Sequence, residues 1–151
     1  MAEPTLFDKI VDGSIPSFTV WEDDKHLAFL TPFPNTPGFT VVIPKKNPGD
    51  NYLSVDEAVF AELMVAAKKV ARLLQKAFGV QRVGLVIEGE GVPHLHVKLI
   101  PMHGQRDADD TSADHAVFTE QYQGFLTTAD GPRMSDDQLK AIQQKIVEAS
   151  K

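Results

Sequence analysis

The sequence predicts an α+β fold: a sheet of about five antiparallel strands with one long helix, a short N-terminal helix and a C-terminal helix. Three observations predict it. Short runs rich in β-branched and aromatic residues recur between tight turns, one long segment repeats its apolar residues every three to four positions, and no internal repeat or low-complexity tract intervenes. Such a sheet has one face covered by helices and one face left for chemistry.

Thr5 to Val11 reads as a short helix ended by Gly13, with Leu6, Phe7 and Ile10 on one side. FTVWE (18–22) and HLAFL (26–30) form a hairpin around the acidic turn Asp23-Asp24-Lys25. TPFPNTPG (31–38), with its prolines and glycine, is a constrained loop, and FTVVIP (39–44) is a strand dense in β-branched residues. The clearest helix opens at Ser54, where S-V-D-E forms a capping box between Ser54 and Glu57. Phe60, Leu63, Met64, Ala67, Ala71 and Leu74 then give one apolar stripe that Gly79 stops. Two strands follow, around Arg82 to Ile87 and His94 to Pro101, joined by EGEGVP, whose glycines favour a tight bend with exposed amides. Residues 103–114 form a solvated loop and YQGFLTT (122–128) a short strand before the turn ADGPR. Ser135 opens the last helix with a second cap and with Leu139, Ile142 and Ile146 on one face.

The bulk properties set outer limits. A chain of 151 residues fits one domain, 1–151, and buries roughly two thirds of its unfolded surface without staples. Without cysteines there is neither a disulfide nor a thiol nucleophile nor a CxxC zinc site. MAEPTLFDKI lacks the basic start and apolar core of a secretion signal, and no apolar run approaches the ~18 residues of a membrane span, so a cytoplasmic protein with no membrane partner is expected. The formal charge of -6 argues against a nucleic-acid partner but leaves room for a small anionic ligand held by local positive charge.

PHLHVKLIP (93–101) holds the chemistry. In an extended chain the side chains at i, i+2 and i+4 share a face, so His94, His96 and Lys98 converge while Leu95, Val97 and Leu99 point the other way. Three meanings fit. Two imidazoles on one face are able to bind a metal, although a third protein ligand is wanted and a protonated lysine is a poor one. They are also able to be incidental residues of a solvated strand. In the third meaning, a histidine whose Nδ1 proton is held by an oxygen offers Nε2 as a nucleophile, and the neighbouring cation stabilises charge on a phosphoryl oxygen. The glycine-flanked amides of EGEGVP, just upstream, suit an anion and lean toward that third meaning.

The runs F-x-K-I-x-x-G-x-I-P from Phe7, E-D-D from Glu22, A-F-L from Ala28, P-x-x-P-G from Pro34 and V-I-P-K-K from Val42 resemble the opening half of the histidine triad (HIT) family. GVPHLHVKLIP falls where that family carries its alternating histidine signature, and the likeness extends from about Leu6 to Met102. The resemblance implies a HIT-like core over about 6–102 followed by an extension, 103–151. It further implies a homodimer, a purine nucleotide as small-molecule partner, no cofactor, and attack by the middle histidine on an α-phosphorus to give a nucleotidyl-histidine. Carried onto these residues, His96 is the nucleophile, His94 holds it through its backbone carbonyl, and Lys98, with the amides around Gly91 and Val92, holds the phosphate. Phe7, Ile10 and Phe29 line the nucleoside pocket, with Thr31 and Pro32 at the ribose edge. A dinucleoside polyphosphate and a nucleoside phosphoramidate are both candidate substrates, and a nucleotide-binding module with little turnover is the alternative.

This chain departs from the family pattern in several places. Lys98 stands where the third histidine belongs; with a reference pKa near ~10.4 a lysine keeps the positive charge but is a much weaker proton donor. Phe39 replaces the histidine after P-G, Thr31 replaces an acidic ribose contact, and Glu88 and Glu90 stand near the expected phosphate. His103 lies where it could swing back to replace the missing acid. His26 and His115 read as surface residues, Lys45-Lys46 as an exposed dibasic turn, and substrate choice is expected to lie in 103–151.

Overall fold

The computed structural model describes residues 2–104 and 132–151. Strands β1 (Phe18–Glu22), β2 (His26–Leu30), β3 (Thr40–Pro44), β4 (Val83–Val86) and β5 (Val97–Pro101) form one sheet in the order β1-β2-β3-β5-β4. All four pairings are antiparallel. The predicted fold class therefore holds. The acidic turn makes the first hairpin because the Asp23 carboxylate accepts from the amides of Lys25 and His26 at 2.8 and 2.7 Å. That carboxylate also takes Nδ1 of His26 at 3.0 Å, which draws the ring inside. His26 is buried, not a surface residue.

Helix α1 (Leu6–Val11) starts at a capping box: the Thr5 hydroxyl accepts from the Asp8 amide while the Asp8 carboxylate accepts from the Thr5 amide. Helix α2 (Glu57–Phe78) starts later than expected. Ser54 ends a short 3-10 turn, Tyr52–Ser54, and the N-cap is Asp56, whose carboxylate accepts from the amides of Ala58 and Val59. An ionised carboxylate at the helix N-terminus is favoured by both the free amides and the dipole, so Asp56 outcompetes the serine two residues earlier. Gly79 closes the helix in the left-handed region, as its freedom allows. Helix α3 (Asp136–Ala149) opens at the capping box of Ser135 and Gln138.

The sheet separates two apolar clusters. On one face α2 and α3 cover Ala28, Leu30, Val42, Leu95, Val97 and Leu99. The buried stripe of α2 is Leu63, Ala66, Ala67, Val70, Leu73 and Leu74, so Phe60, Met64 and Ala71 lie at its margins instead of its centre. Leu139 and Ile146 of α3 enter the same cluster, and Gln143 ties the helix to β1 by donating to the Thr19 carbonyl at 2.8 Å. On the other face Phe7 joins Leu27, Phe29, Phe39, Val41 and Ile43. Gly38 is required where the 31–38 loop meets α2: its φ is 86°, and a Cβ there would approach the Phe78 ring to 2.5 Å. No helix of the described residues is long and apolar enough to cross a membrane. The expected strand 122–128, most of the loop before it and His115 fall outside the described residues.

Candidate active site

His94 and His96 precede β5, whose ladder begins only at Val97, and His94 sits at a bend where its amide donates to the Val92 carbonyl at 2.8 Å. The alternation expected of them holds nonetheless, because Leu95, Val97 and Leu99 are 0% exposed under the helices and fix the direction of their neighbours. The segment is clamped by backbone and side-chain bonds: the Leu95 amide donates to the Gly49 carbonyl at 2.7 Å, and the Asn47 amide group donates to the Pro93 carbonyl at 3.0 Å. Nothing in the sequence singles out Asn47, since its role depends on the loop after β3 folding back over residue 93.

The two imidazoles have defined tautomers. A carbonyl only accepts, so the 2.6 Å contact of His94 Nε2 with the Pro44 carbonyl places a proton on Nε2. His94 Nδ1 faces the Thr5 hydroxyl at 3.5 Å and the Asp8 carboxylate at 3.6 Å. The His94 carbonyl in turn accepts from Nδ1 of His96 at 2.7 Å, which leaves Nε2 of His96 with its lone pair. Burial lowers the pKa of both rings, against the opposing pull of the carbonyls they bond; for His96 the Lys98 charge lowers it further. His96 is therefore a neutral imidazole at pH 7, the form able to attack.

Phe7 packs edge-on against this pair and against Phe29, with ring centroids 5.8 Å from His94, 5.2 Å from His96 and 5.4 Å from Phe29. Lys98 extends from β5 opposite Val86 of β4, and its ammonium donates to the Glu88 carboxylate just beyond that strand.

These groups border a cavity of about 690 Å³. Phe7 and Ile10 line it from α1, Phe29 from β2, Thr31 and Pro32 from the turn after β2, and Gly91 and Val92 from the loop before β5, beside His96 and Lys98. His94 does not line it and meets it only through His96. Gly89 and Gly91 have φ of 74° and 89°, the backbone freedom expected of EGEGVP. The cavity also takes in residues that sequence reasoning missed, Ser17 and, from α3 and its approach, Arg133, Lys140 and Gln143. Their presence depends on how α3 docks on β1, which no local pattern encodes.

Residues 12–105 match the model of the HIT domain. The chain is a member of the HIT family. It is 36% identical to the protein hit of Bacillus subtilis over 113 residues, covering 70% of this chain and 76% of that one. It is 36% identical to the adenylylsulfatase HINT1 of Arabidopsis thaliana over 103 residues, 64% of this chain and 70% of the relative. Among solved structures, a hypothetical histidine triad nucleotide-binding protein of Sulfolobus tokodaii superposes with a TM-score of 0.74 at 27% identity, covering 95% of this chain and 89% of that one.

In this HIT protein neither His26 nor His103 borders the cavity. His103 does not replace the third histidine: its Nε2 donates to the Pro37 carbonyl at 2.7 Å and its ring packs edge-on against Phe78, at the far end of α2. Lys45 pairs with Glu22 at 3.3 Å, and neither Lys45 nor Lys46 borders the cavity. Among the described residues no group of three or more His, Cys, Asp or Glu is placed to hold a metal ion.

Proposed function

We propose that this HIT protein is a nucleotide hydrolase or nucleotidyl transferase that cleaves at the α-phosphate of an adenosine nucleotide. The observation that carries the reading is the bond from His96 Nδ1 to the His94 carbonyl, which fixes the lone pair on Nε2 beside a cavity of nucleotide size. Phe7, Ile10 and Phe29 receive the base, Thr31 and Pro32 border the ribose, and the amides near Gly91 and Val92 receive phosphate oxygens with Lys98.

The chemistry balances in two steps. Nε2 of His96 forms a bond to the α-phosphorus as the bond to the leaving group breaks, and the leaving group takes the bonding pair. The phosphoryl-imidazolium so formed is positively charged, and the His94 carbonyl stabilises it through the Nδ1 proton; a hydrogen bond to a charged group contributes about 1.5–3 kcal/mol. Water then attacks the same phosphorus, the P–N bond breaks, and the electron pair returns to Nε2. The proton lost by water goes to the solvent, or to the leaving group where that group is basic.

Product analysis by liquid chromatography tests this, with a diadenosine polyphosphate and an adenosine phosphoramidate each mixed with the native chain and with His96→Ala. AMP released by the native chain and not by the variant is the expected result. Nucleotide binding without AMP from either substrate would make the chain a binding module instead. A homodimer, the assembly the family resemblance implies, predicts twice the chain mass by light scattering.

A further inference from the structure

We propose that the ribose end of the cavity is a second phosphate site, built from Lys140, Arg133 and Thr31, that takes a nucleotide phosphorylated on its 2′ or 3′ oxygen. The inference rests on the adenosine-nucleotide reading above and adds what the ribose carries.

The fold brings the cations there. Helix α3 runs along β1 on a course fixed by two bonds: the Met134 amide, just before the helix, donates to the Pro32 carbonyl at 2.9 Å, and Gln143 donates to the Thr19 carbonyl at 2.8 Å. Asp136, Lys140 and Gln143 follow one another at helical spacing and all line the cavity. Lys140 therefore stands between the two bonds, beside the place where Phe18 of β1 pairs with Leu30 at the end of β2 and Thr31 follows.

Register separates this end from the reacting phosphorus. Phe29, Val41 and Lys98 form one row across the sheet, and Thr31 lies two residues beyond it, its amide still donating to the Phe39 carbonyl of the neighbouring chain segment. Two strand spacings sideways and two residues lengthwise put the α-carbons of Thr31 and Lys98 about 12 Å apart, and the side chains reaching in from both ends leave room for a ribose between two phosphates.

The polar groups at the ribose edge suit an anion. The Thr31 hydroxyl accepts from the Phe33 amide at 3.2 Å, which leaves its proton to donate. Asp136, the carboxylate that α3 brings to the lining, is held by Arg133 at 2.8 Å, and Glu90 lies in the loop between β4 and β5. Lys140 has no ion pair among the described residues. A bare ribose has no use for that ammonium, whereas a phosphate forms a charge-assisted bond with it.

Calorimetric titration of the full chain with AMP, ADP, adenosine 3′,5′-bisphosphate and adenosine 2′,5′-bisphosphate tests this. At least one bisphosphate is expected to bind about tenfold or more tighter than AMP, the size of one charge-assisted bond, and the tighter of the two names the ribose oxygen. K140Q is expected to cut that ratio about fivefold or more, while ADP, whose second phosphate extends the 5′ end, moves in step with AMP. T31D, which sets a carboxylate at the same edge, cuts the ratio too. Bisphosphates that bind no tighter than AMP overturn the proposal and leave the adenosine-nucleotide reading intact. A ratio unchanged in either variant overturns it as well, as does ADP losing as much as the bisphosphate in K140Q. Failure of all four to bind the native chain ends both readings.

Discussion

The segment from His94 to Leu99 serves two regions at once, and the two faces it divides contrast sharply. Leu95, Val97 and Leu99 disappear into the cluster beneath α2 and α3, where each contributes about 1.5–3 kcal/mol by leaving water. His96 and Lys98 face the cavity and His94 packs against Phe7 behind them, where an unpartnered polar group would cost about 1–3 kcal/mol. Each has a partner: the Pro44 carbonyl, the His94 carbonyl and the Glu88 carboxylate. The comparison teaches how the site gets its rigidity. The apolar residues need no direction but supply most of the stability, and by anchoring every second position they aim the polar ones.

If the division of labour is right, single changes on the two faces separate activity from stability. The largest effect is expected on the polar face, where His96→Ala lowers the turnover that depends on it by on the order of 10³-fold or more. Its thermal unfolding stays near native, because the change only widens an existing cavity; a collapse in melting temperature would merge the two regions. On the opposite face Leu99→Ala costs about 2–5 kcal/mol by opening a void where the side chain is now fully buried. Urea titration reads that directly, and a loss below about 1 kcal/mol would deny Leu99 its anchoring role.

A smaller effect ties the two faces through pH. The folded-state pKa of both histidines is lowered below 6.5, so the unfolded chain binds their protons more readily. Stability is complete above that value and declines as pH falls through it, while His96 keeps its lone pair and the acid limb of kcat/KM lies below pH 6.5. Denaturant midpoints that rise on acidification from pH 7 to 5.5 would contradict the assignment. The smallest effect sits away from the site: Asp56→Ala costs about 1 kcal/mol as the loss of a helix cap, while Ser54→Ala stays within about 0.5 kcal/mol. Equal losses would return the helix start to Ser54.

Much of the frame was legible because it is locally encoded. The hairpin around Asp23, the β-branched strand ending at Pro44, the cap at Ser135 and the stop at Gly79 each announce themselves within a few residues. The S-V-D-E run misled because two acceptors compete over three positions, and the pattern alone does not say that Val55 stays extended. His26 was misread for a different reason, since its burial follows from pairing opposite Pro44 and from the reach of Asp23. The partner of Lys98 was beyond reading because it depends on the register that sets Val86 opposite Lys98. His103 had a reachable alternative in the Pro37 carbonyl, 66 positions away, that no local pattern shows.

The oxygen that orients His96 belongs to the main chain, and this places it outside the vocabulary of the genetic code. Every codon at position 94 retains a carbonyl there, so a saturation library can erase the ring of His94 and its anchor on Pro44 yet never delete the acceptor itself. Variants at 94 can only shift that oxygen, and their losses should be graded by how far the chain moves. Erasing the acceptor's strength takes chemical synthesis, with the amide between His94 and Leu95 exchanged for an ester. That atom-level edit, unlike any mutation, would weaken the hold on Nδ1 with every side chain unchanged; it also removes the Leu95 N–H that clamps the segment to the Gly49 carbonyl, so Asn47→Ala, which loosens the clamp at Pro93 and spares the acceptor, is its control.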